Sequence, residues 1–522
     1  MHNARKYGGG LSYMLAKIPS CAVFGIEGAL VEVEVDVANS LAAFTIVGLP
    51  DATVHESKER VRSAIQNSGY LFPFKQITVN LVPADLCEEG PDHDLPIAIG
   101  ILVASEQIDV DEQIAQSIFL GELSLDGSVQ HTNGILPMVA LAAEKHVKTV
   151  FVPASDAMEA ALIRDVVVYP VETLGQLIAH LTRERQIEPT IPDPRLLDTT
   201  NFASYEHDMA AVRGQEHVKR ALEVAASGGH NILMSGPPGS GKTLLARATP
   251  SILPPIGIEE FLEVIKMYSV SGMLPSDIPL ILQRPFRSPH HSISHAGLVG
   301  GGRIPRPGEI SLAHRGVLFL DELPEFEQNV LESLRQPLED KVVTISRAQG
   351  TITYPANCML IASMSLCPCG FWGDPVKECT CSASAIAHHQ KRMNGLLLDH
   401  IDIHVEVPRV DDEKLAEKRN VETSEIIRSR VQAARERQLQ RFSGTKLKCN
   451  AEMGPSEVRE CCQTDASAEK LLKAAMQQLH LSARAFHRVL KLARTIADLA
   501  GSETILATHI AEAVQYRPRV GM

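Results

Sequence analysis

A glycine-rich octapeptide has the residue types and spacing needed to bind phosphate. It fits the pattern G-x-x-x-x-G-K-[ST] at every fixed position and consists of Gly236, Pro237, Pro238, Gly239, Ser240, Gly241, Lys242 and Thr243. Glycines let backbone N–H groups turn towards phosphate oxygens at a helix N-terminus, where the helix dipole favours negative charge. Lys242 would reach the β- and γ-phosphates, and Thr243 would ligate Mg²⁺. The pattern predicts a nucleotide site, and a chance glycine-rich turn is the alternative.

A second pair of chemical groups, Asp321 and Glu322, follows an apolar run at 316–320. A buried strand would deliver both carboxylates at its end, beside the phosphate loop. Asp321 would hold the Mg²⁺ shell, and Glu322 would orient and polarise an attacking water. An apolar strand that ends in Asp-Glu is weak alone, but downstream of a phosphate loop it indicates nucleotide hydrolysis.

Four cysteines form two C-x-C pairs that are separated by nine residues. They are Cys367, Cys369, Cys379 and Cys381. Two pairs of thiolates can close a tetrahedral Zn²⁺ site, and four reduced thiols in a loop are the alternative. Because sulfur would fill all four positions, the expected zinc is structural rather than catalytic.

The sequence around these groups predicts the elements that position them. Residues 231–234 are an apolar run short enough for a buried strand, and residues 244–248 read as a helix. This strand–loop–helix order is the context that a phosphate loop requires. Residues 341–355 alternate with a period of two on both sides of 347–350, which predicts a hairpin.

A stretch rich in glycine, proline and arginine, residues 284–309, lies between the two motifs. Its four arginines and its turn residues predict a mobile loop able to meet phosphate, with a solvated loop without partners as the alternative. The stretch also contains His290, His291 and His295. No carboxylate or cysteine with ligand spacing accompanies these histidines, so we do not expect a metal site there.

Length, composition and charge restrict the class of protein. The chain has 522 residues, 44% of them hydrophobic, and a formal net charge of −13 at pH 7. We expect two or three domains, and any nucleic-acid contact must be local because the acidic balance argues against a surface that coats DNA. Apolar runs too short for a membrane span and the lack of a signal-peptide core predict a cytoplasmic protein without membrane contact. Met14 is a candidate start.

The first part of the chain resembles the Lon-protease-like fold. The resemblance rests on Ile46-Val47-Gly48-Leu49-Pro50 and on Gly121-Glu122-Leu123-Ser124-Leu125-Asp126-Gly127. Lon peptidases cut with a serine that a lysine activates. In this chain Asp92 stands where the serine belongs and Leu136 replaces the lysine. The resemblance therefore implies a binding or assembly module without proteolysis.

Several motifs together resemble the YifB/ComM family of magnesium-chelatase-like AAA+ ATPases. They are the phosphate loop and residues 284–291, 304–309, 318–326 and 367–370. The resemblance runs from about Met14 to Tyr516. It implies a cytoplasmic homo-hexameric ring that uses ATP and Mg²⁺ and acts as a helicase on single-stranded or branched DNA, promoting branch migration in natural transformation.

The same resemblance gives roles to further residues. Val212 and Gly214 would line the adenine pocket, and Arg484 would contact the γ-phosphate from the lid. Arg488, one turn along, is interpreted as a surface charge. The hairpin at 341–355 would project into the ring pore, where Lys341 or Arg347 grips a phosphate backbone; a merely structural hairpin is the alternative.

Three positions depart from the family pattern. Ser365 stands where relatives have asparagine, and a hydroxyl reaches less far than an amide. His400 replaces an arginine that would act on the neighbouring subunit's ATP, so Arg392 is the nearest remaining candidate for that role. Cys87-Glu88 replaces a basic pair, which would weaken polyanion contact in the first domain.

The predicted fold class is α/β. We expect a non-proteolytic Lon-like α/β domain at 14–182 and a proline-rich linker at 183–208. An AAA+ P-loop NTPase core at 209–410, with a Cys-rich insert at 367–381, would be followed by an α-helical lid at 411–522. Three functions remain open: a DNA motor, a chelatase-like ATPase that remodels a protein partner, and a scaffold that binds nucleotide but hydrolyses it weakly.

Overall fold

The structure is a computed structural model that describes twelve stretches of the chain. They are residues 15–48, 51–83, 93–109, 112–191, 205–274, 283–302, 305–347, 350–374, 376–393, 397–410, 422–479 and 482–517. The chain divides into two compact units. The first comprises Met1–Asp198 and Ile265–Leu280, and the second comprises Thr199–Val264 and Ile281–Met522.

The first unit is an α/β structure with two main sheets. Its strands are β1 (Ala16–Phe24), β2 (Glu27–Ala38), β3 (Ala43–Val47), β4 (Gln76–Val82), β5 (Ser117–Phe119), β6 (Glu122–Leu123), β7 (Val129–Gln130), β8 (Thr149–Pro153) and β9 (Val167–Val171). The larger sheet has the order β1-β2-β4-β3, in which only the β3–β4 pair is parallel. Strands β5, β8 and β9 form a parallel sheet. The antiparallel β6–β7 pair forms a hairpin around Asp126-Gly127.

Helices cover these sheets and complete the core of the first unit. They are α1 (Asp51–Asn67), α2 (Asp94–Ala104), α3 (Glu112–Ala115), α4 (Ile135–Glu144), α5 (Ala157–Ala160) and α6 (Leu174–Leu181). The alternation in β2 buries Val33 and Val35, whereas Glu32 and Glu34 on the other face pair with Lys17. Helix α2 is buried along its whole length, as its apolar sequence requires.

The first residues of the predicted linker are packed against the first unit. Ile187 is buried in its core, and the backbone N–H of Ile187 donates to Nδ1 of His180 at 2.9 Å. The Thr190 N–H donates to the carbonyl oxygen of Val168 at 2.8 Å. The polar, proline-rich composition of 183–208 did not predict these contacts. A single buried side chain, that of Ile187, is enough to anchor a polar stretch to the core.

A five-stranded parallel sheet forms the centre of the second unit. Its order is β11-β14-β17-β10-β18, with β10 (Ile232–Ser235), β11 (Phe286–Arg287), β14 (Val317–Leu320), β17 (Met359–Met364) and β18 (Ile403–Glu406). All four pairings are parallel. Two antiparallel pairs lie outside this sheet: β12 (Gly300–Gly301) with β13 (Arg306–Pro307), and β15 (Val342–Arg347) with β16 (Gly350–Pro355). In parallel sheets ligands bind beyond the carboxyl ends of the strands, and both motifs lie there.

Helices flank the sheet and then form the C-terminal region. They are α7 (Glu216–Gly228), α8 (Lys242–Ala248), α9 (Ile258–Val270), α10 (His295–Val299), α11 (Glu309–Leu312), α12 (Gln328–Ser333), α13 (Arg335–Asp340), α14 (Ala383–Met393), α15 (Ser424–Arg441), α16 (Pro455–Cys461), α17 (Ala466–Gln478), α18 (Ala483–Leu499) and α19 (Ala507–Gln515). Short 3₁₀ turns occur at Ala154–Asp156, Met209–Ala211, Thr249–Ile252, Leu323–Glu325, Leu398–His400 and Asn450–Glu452. Helix α9 contains the division between the units at residue 264.

Buried polar contacts join the C-terminal helices to the parallel sheet. His230, which precedes β10 and has no exposed surface, contacts Oγ1 of Thr495 on α18 at 2.9 Å and Asp402 at 3.1 Å. One helical turn onwards, Asp498 accepts hydrogen bonds from Arg441 and Asn450. Since buried polar groups are costly unless they are paired, these contacts fix α18 at one position against the core.

Candidate functional site: the nucleotide pocket

The phosphate loop lies between β10, which ends at Ser235, and α8, which begins at Lys242. Gly239 and Gly241 have φ angles of +75° and +90°, and a Cβ on either would meet nothing within 4 Å. A Cβ on Gly236 would lie 2.2 Å from the carbonyl oxygen of Val407, so only glycine fits there. The loop is therefore open on the side where a phosphate group would lie.

Lys242 folds back onto the loop that contains it. Its Nζ donates to the carbonyl oxygens of Gly236 and Pro237, both at 2.8 Å. Burial lowers the pKa of Lys242 below its ordinary value, while Asp321 and Glu322 oppose that shift. A third, longer contact joins Nζ to the Ser240 hydroxyl at 3.5 Å. A cation held by neutral oxygen atoms of the loop, beside open glycine backbone, fits a triphosphate that would replace those contacts.

The metal side of the pocket is built around Asp321, the first residue after β14. Thr243 Oγ1 donates to Asp321 Oδ2 at 3.0 Å, so the two predicted Mg²⁺ ligands are neighbours. Ser363 on β17 donates to Asp321 Oδ1 and fixes the orientation of the carboxylate. Oxygen groups of this kind suit Mg²⁺. The sequence analysis missed Ser363, because it lies inside an apolar strand 42 residues from Asp321.

Glu322 occupies an exposed position with an unusual backbone. Its φ and ψ angles are 52° and 51°, in the left-handed region that non-glycine residues rarely adopt. Its N–H contacts Asp321 Oδ1 at 3.2 Å and Ser363 Oγ at 3.3 Å. These contacts stabilise the strained backbone of Glu322, where the chain turns away from β14.

The segment proposed for adenine and the phosphate loop both lie against residues 407–410. Val212 is buried in the core, and a Cβ on Gly214 would lie 3.2 Å from a methyl group of Val410. Residues 407–410 thus contact both Gly214 and Gly236. Gln215 was not selected from the sequence. It is 8% exposed, its Nε2 donates to the Pro408 carbonyl oxygen, and its Oε1 has no hydrogen-bond partner among the described residues.

The structure separates the two arginines at the start of α18. Arg484 is exposed in the first turn of the helix. Arg488 is 9% exposed and donates to the carbonyl oxygens of Asp399 and Ile401. The interpretation of Arg488 as a surface charge was wrong, because the side chain completes the turn that contains His400.

The other proposed catalytic positions are divided between two edges of the sheet: Ser365 follows the carboxyl end of β17, whereas His400 precedes the amino end of β18. Ser365 follows the end of β17, and its carbonyl oxygen accepts a hydrogen bond from His389 Nε2 at 3.0 Å. His400 is half-buried, and burial lowers its pKa below the ordinary value. Arg392 is on α14, but its side chain lies outside the described residues. Asp92 and Cys87-Glu88 are outside them as well.

The arginine-rich stretch is held more firmly than predicted. Arg284 donates to the carbonyl oxygens of Pro254 and Arg315 at 2.7 Å and to Glu260 at 2.8 Å. Arg287 makes a bidentate pair with Glu309 at 2.6 Å. Carboxylates of the same unit thus hold both guanidinium groups, and contact of these arginines with phosphate stays a prediction.

The predicted hairpin is confirmed as β15–β16, with Arg347 opposite Gly350. Lys341 is the C-cap of α13 at the base of the hairpin rather than near its tip. The Arg347 side chain lies outside the described residues. The exposed face of the hairpin carries four hydroxyl side chains, which we call the hydroxyl stripe: Thr344, Ser346, Thr351 and Thr353. These residues were not predicted from the sequence, although their alternating positions indicated that they share one face of the hairpin.

The four cysteines predicted to bind metal lie together. Their sulfur atoms all lie within 4.8 Å of one another. In the part of the chain that the structure describes, this is the one group of three or more His, Cys, Asp or Glu residues with such spacing. His290 instead contacts Ser292 at 2.8 Å and stacks on His291.

Comparison with known proteins gives consistent matches along the chain. The family described as "Magnesium chelatase, subunit ChlI" matches residues 208–415, "Subunit ChlI of Mg-chelatase" matches 33–156, and "Magnesium chelatase, subunit ChlI C-terminal" matches 421–517. Competence protein ComM of Haemophilus influenzae is 42% identical over 97% of this chain and 98% of that protein. YifB of Escherichia coli is 41% identical over 96% of this chain and 97% of its own length.

The chain belongs to the YifB/ComM family.

Membership in the YifB/ComM family agrees with the fold and gives the pocket its cofactors. The second unit contains the magnesium-chelatase type of AAA+ core with a C-terminal helical region, and this family implies the use of ATP and Mg²⁺. Similarity to Lon is partial: the archaeal Lon protease of Methanothermobacter thermautotrophicus is 34% identical over 18% of this chain and 14% of that protein. Among the described residues, no helix is both long and apolar enough to cross a membrane.

Proposed function

We propose that this chain is an ATP-driven motor that moves along single-stranded or branched DNA as a homo-hexameric ring in the cytoplasm. The family consists of AAA+ ATPases, and the proposal adds DNA as the substrate on which ATP hydrolysis acts. The observation that supports ATP hydrolysis most strongly is the contact of Asp321 with both Thr243 and Ser363, at the end of the strand that also delivers Glu322. The Asp321 carboxylate is held in an orientation that suits a metal ion, and the Glu322 carboxylate is exposed and accessible to water.

The residues of the pocket have separable roles in this proposal. Bound ATP would supply the phosphoryl group, and Mg²⁺ would neutralise charge on its phosphates. Lys242 exchanges its carbonyl contacts for phosphate oxygens, while Thr243 and Asp321 hold the metal. Glu322 orients the attacking water, and Arg484 approaches the γ-phosphate from the lid. Arg392 is proposed to act on the neighbouring subunit's nucleotide in place of the family arginine that is His400 here.

Support for a DNA substrate comes from the β15–β16 hairpin. The chain is strongly acidic overall, with a net charge of −13, so contact with a polyanion must be local. The hydroxyl stripe is exposed, and its members pair across the hairpin: Thr344 with Thr353 at 3.4 Å and Ser346 with Thr351 at 3.2 Å. Hydroxyl groups hydrogen-bond to phosphate without reading base sequence. This chemistry suits a motor that follows a backbone.

The double substitution Thr344→Val and Thr353→Val tests this role of the hairpin. Valine keeps the β-branched shape but removes both hydroxyls, so strand pairing should survive. We expect about 10-fold weaker binding of fluorescent single-stranded DNA, with unchanged ATPase activity in the absence of DNA. Ser467→Ala, which changes an exposed hydroxyl on α17, is the matched control. Equal DNA affinity in the wild type and the double variant would refute a role for the stripe.

A second function, a scaffold that binds nucleotide and hydrolyses it weakly, is favoured by one observation. His400 is half-buried and its pKa is lowered, so at neutral pH it lacks the charge of the family arginine. If the scaffold is correct, the combination of Ser365→Asn and His400→Arg should raise ATP turnover sharply. A motor would already turn over ATP without these changes. A chelatase-like ATPase that remodels a protein partner would hydrolyse ATP at a rate indifferent to DNA.

A further inference from the structure

We propose that Cys367, Cys369, Cys379 and Cys381 bind one Zn²⁺, and that this metal centre holds the phosphate loop in its nucleotide-binding conformation. The metal part stands on the geometry of the cysteines alone. The coupling rests on the nucleotide site of the proposed function. Both parts lie within the second unit.

The sulfur atoms have the spacing of a tetrahedral site. Sγ of Cys367 lies 3.4 Å from that of Cys369, and Cys379 Sγ lies 3.6 Å from both. Four sulfurs about 2.3 Å from one zinc ion lie about 3.8 Å from each other, whereas a disulfide bond requires about 2.05 Å. An all-sulfur tetrahedron suits Zn²⁺ or an iron ion, and zinc requires no redox partner.

Backbone N–H groups surround two of the sulfur atoms. The N–H of Trp372 donates to Cys367 Sγ at 3.3 Å. Cys369 Sγ accepts from the backbone of Phe371 and Thr380. In metal sites, outer hydrogen bonds of this kind orient the ligating atoms.

Positive charge lies beside the same turn. Four thiolates around one Zn²⁺ carry a net charge of −2. Lys377 Nζ lies 4.0 Å from the centre of the Phe371 ring, and the Arg409 guanidinium lies 5.8 Å from it. Because Arg409 also pairs with Asp374 at 2.9 Å, Lys377 is the cation beside this turn that would offset the charge of a loaded site.

The turn between the first two cysteines and Phe371 touches the phosphate loop. Gly370 has a φ angle of +82°, and a Cβ there would lie 2.7 Å from side-chain carbons of Pro238. The Gly370 N–H donates to the Cys367 carbonyl oxygen at 2.9 Å, which closes the turn. The metal centre would therefore fix the position of Gly370, which lies against Pro238.

The cysteines also connect the sensor end of β17 to α14. Ser365 precedes Cys367 by two residues, and His389 on α14 donates to the Ser365 carbonyl oxygen. His389 is 6% exposed. One ion would thus brace the phosphate loop, the end of β17 and the helix that carries Arg392. Loss of the ion should loosen all three, since the loop would then depend on hydrogen bonds, the Asp374–Arg409 ion pair and the contacts of the Phe371 ring.

Metal content and nucleotide binding are measured separately on the full chain. We expect one zinc per chain after purification in metal-free buffer, less than half of that in Cys379→Ser, and full content in Cys461→Ser, a partly buried cysteine outside the cluster. Metal-free protein and Cys379→Ser should bind fluorescent ATP with Mg²⁺ about 10-fold more weakly than the wild type. Lys242→Ala should lose nucleotide affinity but keep its zinc.

Gly370→Ala separates coupling from folding. This variant keeps all four ligands, so it should retain zinc and its unfolding midpoint to within a few degrees, yet bind fluorescent ATP about 10-fold more weakly. Absence of zinc, a bound iron ion, or disulfides among the four cysteines would overturn the metal assignment. Zinc that can be removed without change in nucleotide affinity would overturn the coupling. If even the zinc-loaded wild-type protein failed to bind nucleotide, the result would instead refute the nucleotide site of the proposed function.

Discussion

In the proposed reaction, Glu322 is the side chain on which hydrolysis depends most directly. It follows Asp321, the proposed metal ligand, in a left-handed turn and is exposed, so its carboxylate is available to a water molecule. The residues around it serve to fix this turn, since Ser363 contacts both Asp321 and the Glu322 N–H. Binding and hydrolysis should therefore be separable by substitution.

Glu322→Gln is expected to lower ATP turnover on the order of 10³-fold and to leave ATP affinity unchanged, because glutamine keeps the shape but cannot accept a proton. Steady-state hydrolysis and binding of a fluorescent analogue measure the two quantities. Glu325→Gln, an exposed glutamate in the next turn, is the control. Turnover retained in Glu322→Gln would show that another group activates the water.

Arg484→Ala tests the role of the lid in the same reaction. Because Arg484 is exposed and Arg488 is structural, only the first is free to reach a bound phosphate. We expect about 100-fold slower hydrolysis, as for loss of one charged donor to a transition state, with the unfolding midpoint unchanged. Arg459→Ala, an exposed arginine on α16, should hydrolyse ATP normally. Equal rates in both variants would exclude Arg484 from the site.

For single residues, the sequence predicts a role when the residues that act together lie close to one another in the chain. The phosphate loop is contiguous, so its spacing is sufficient to place Lys242 and Thr243. Ser363 could not be selected, because its function depends on a strand pairing with β14. The carboxylate partners of Arg284 and Arg287 could not be predicted, because they are 24 and 22 residues away.

Among the elements, the short helix α5 links α4 to α9 within the first unit through one carboxyl group. Glu159 Oε1 accepts the Leu136 N–H at 3.0 Å and the Ser269 hydroxyl at 2.5 Å. Burial raises the pKa of Glu159 to about 7, although both hydrogen bonds oppose the shift. The folded unit therefore retains a proton that the unfolded chain releases near pH 4.5.

The sign of the resulting pH dependence follows from the raised pKa. The stability that this proton confers is complete below pH 4.5 and is lost as the pH rises through about 7, by about 3 kcal/mol in total. Glu159→Gln cannot ionise, so its urea midpoint relative to wild type should rise between pH 5 and pH 8. Glu144→Gln, an exposed change on α4, should show no such trend. A constant difference across this range would contradict the shift.

Periodicity predicts elements better than it predicts their breaks. The strand–loop–helix around the phosphate loop and the hairpin at 341–355 followed from local patterns. Residues 328–340, by contrast, are divided into two short helices, α12 and α13. Pro337 explains the break, since proline is tolerated only in the first turn of a helix. The inclusion of 265–280 in the first unit depends on tertiary contacts that no local pattern contains.

For the whole molecule, the central proposal is that ATP hydrolysis drives movement on DNA. The AAA+ core and family membership support hydrolysis, and the exposed hydroxyl stripe supports contact with a phosphate backbone. The proposal includes a ring because, in it, Arg392 or an equivalent group comes from a neighbouring subunit. These parts make one joint prediction: DNA should accelerate the ATPase reaction.

The most direct test is steady-state ATP hydrolysis by the purified chain with and without single-stranded or branched DNA, with Lys242→Ala as the blank. We predict hydrolysis above the blank that DNA stimulates about 10-fold, and loss of that stimulation in the Thr344→Val and Thr353→Val variant. Hydrolysis that is indifferent to DNA would contradict the DNA motor and favour a protein substrate. Hydrolysis no faster than the blank would contradict a motor of any kind.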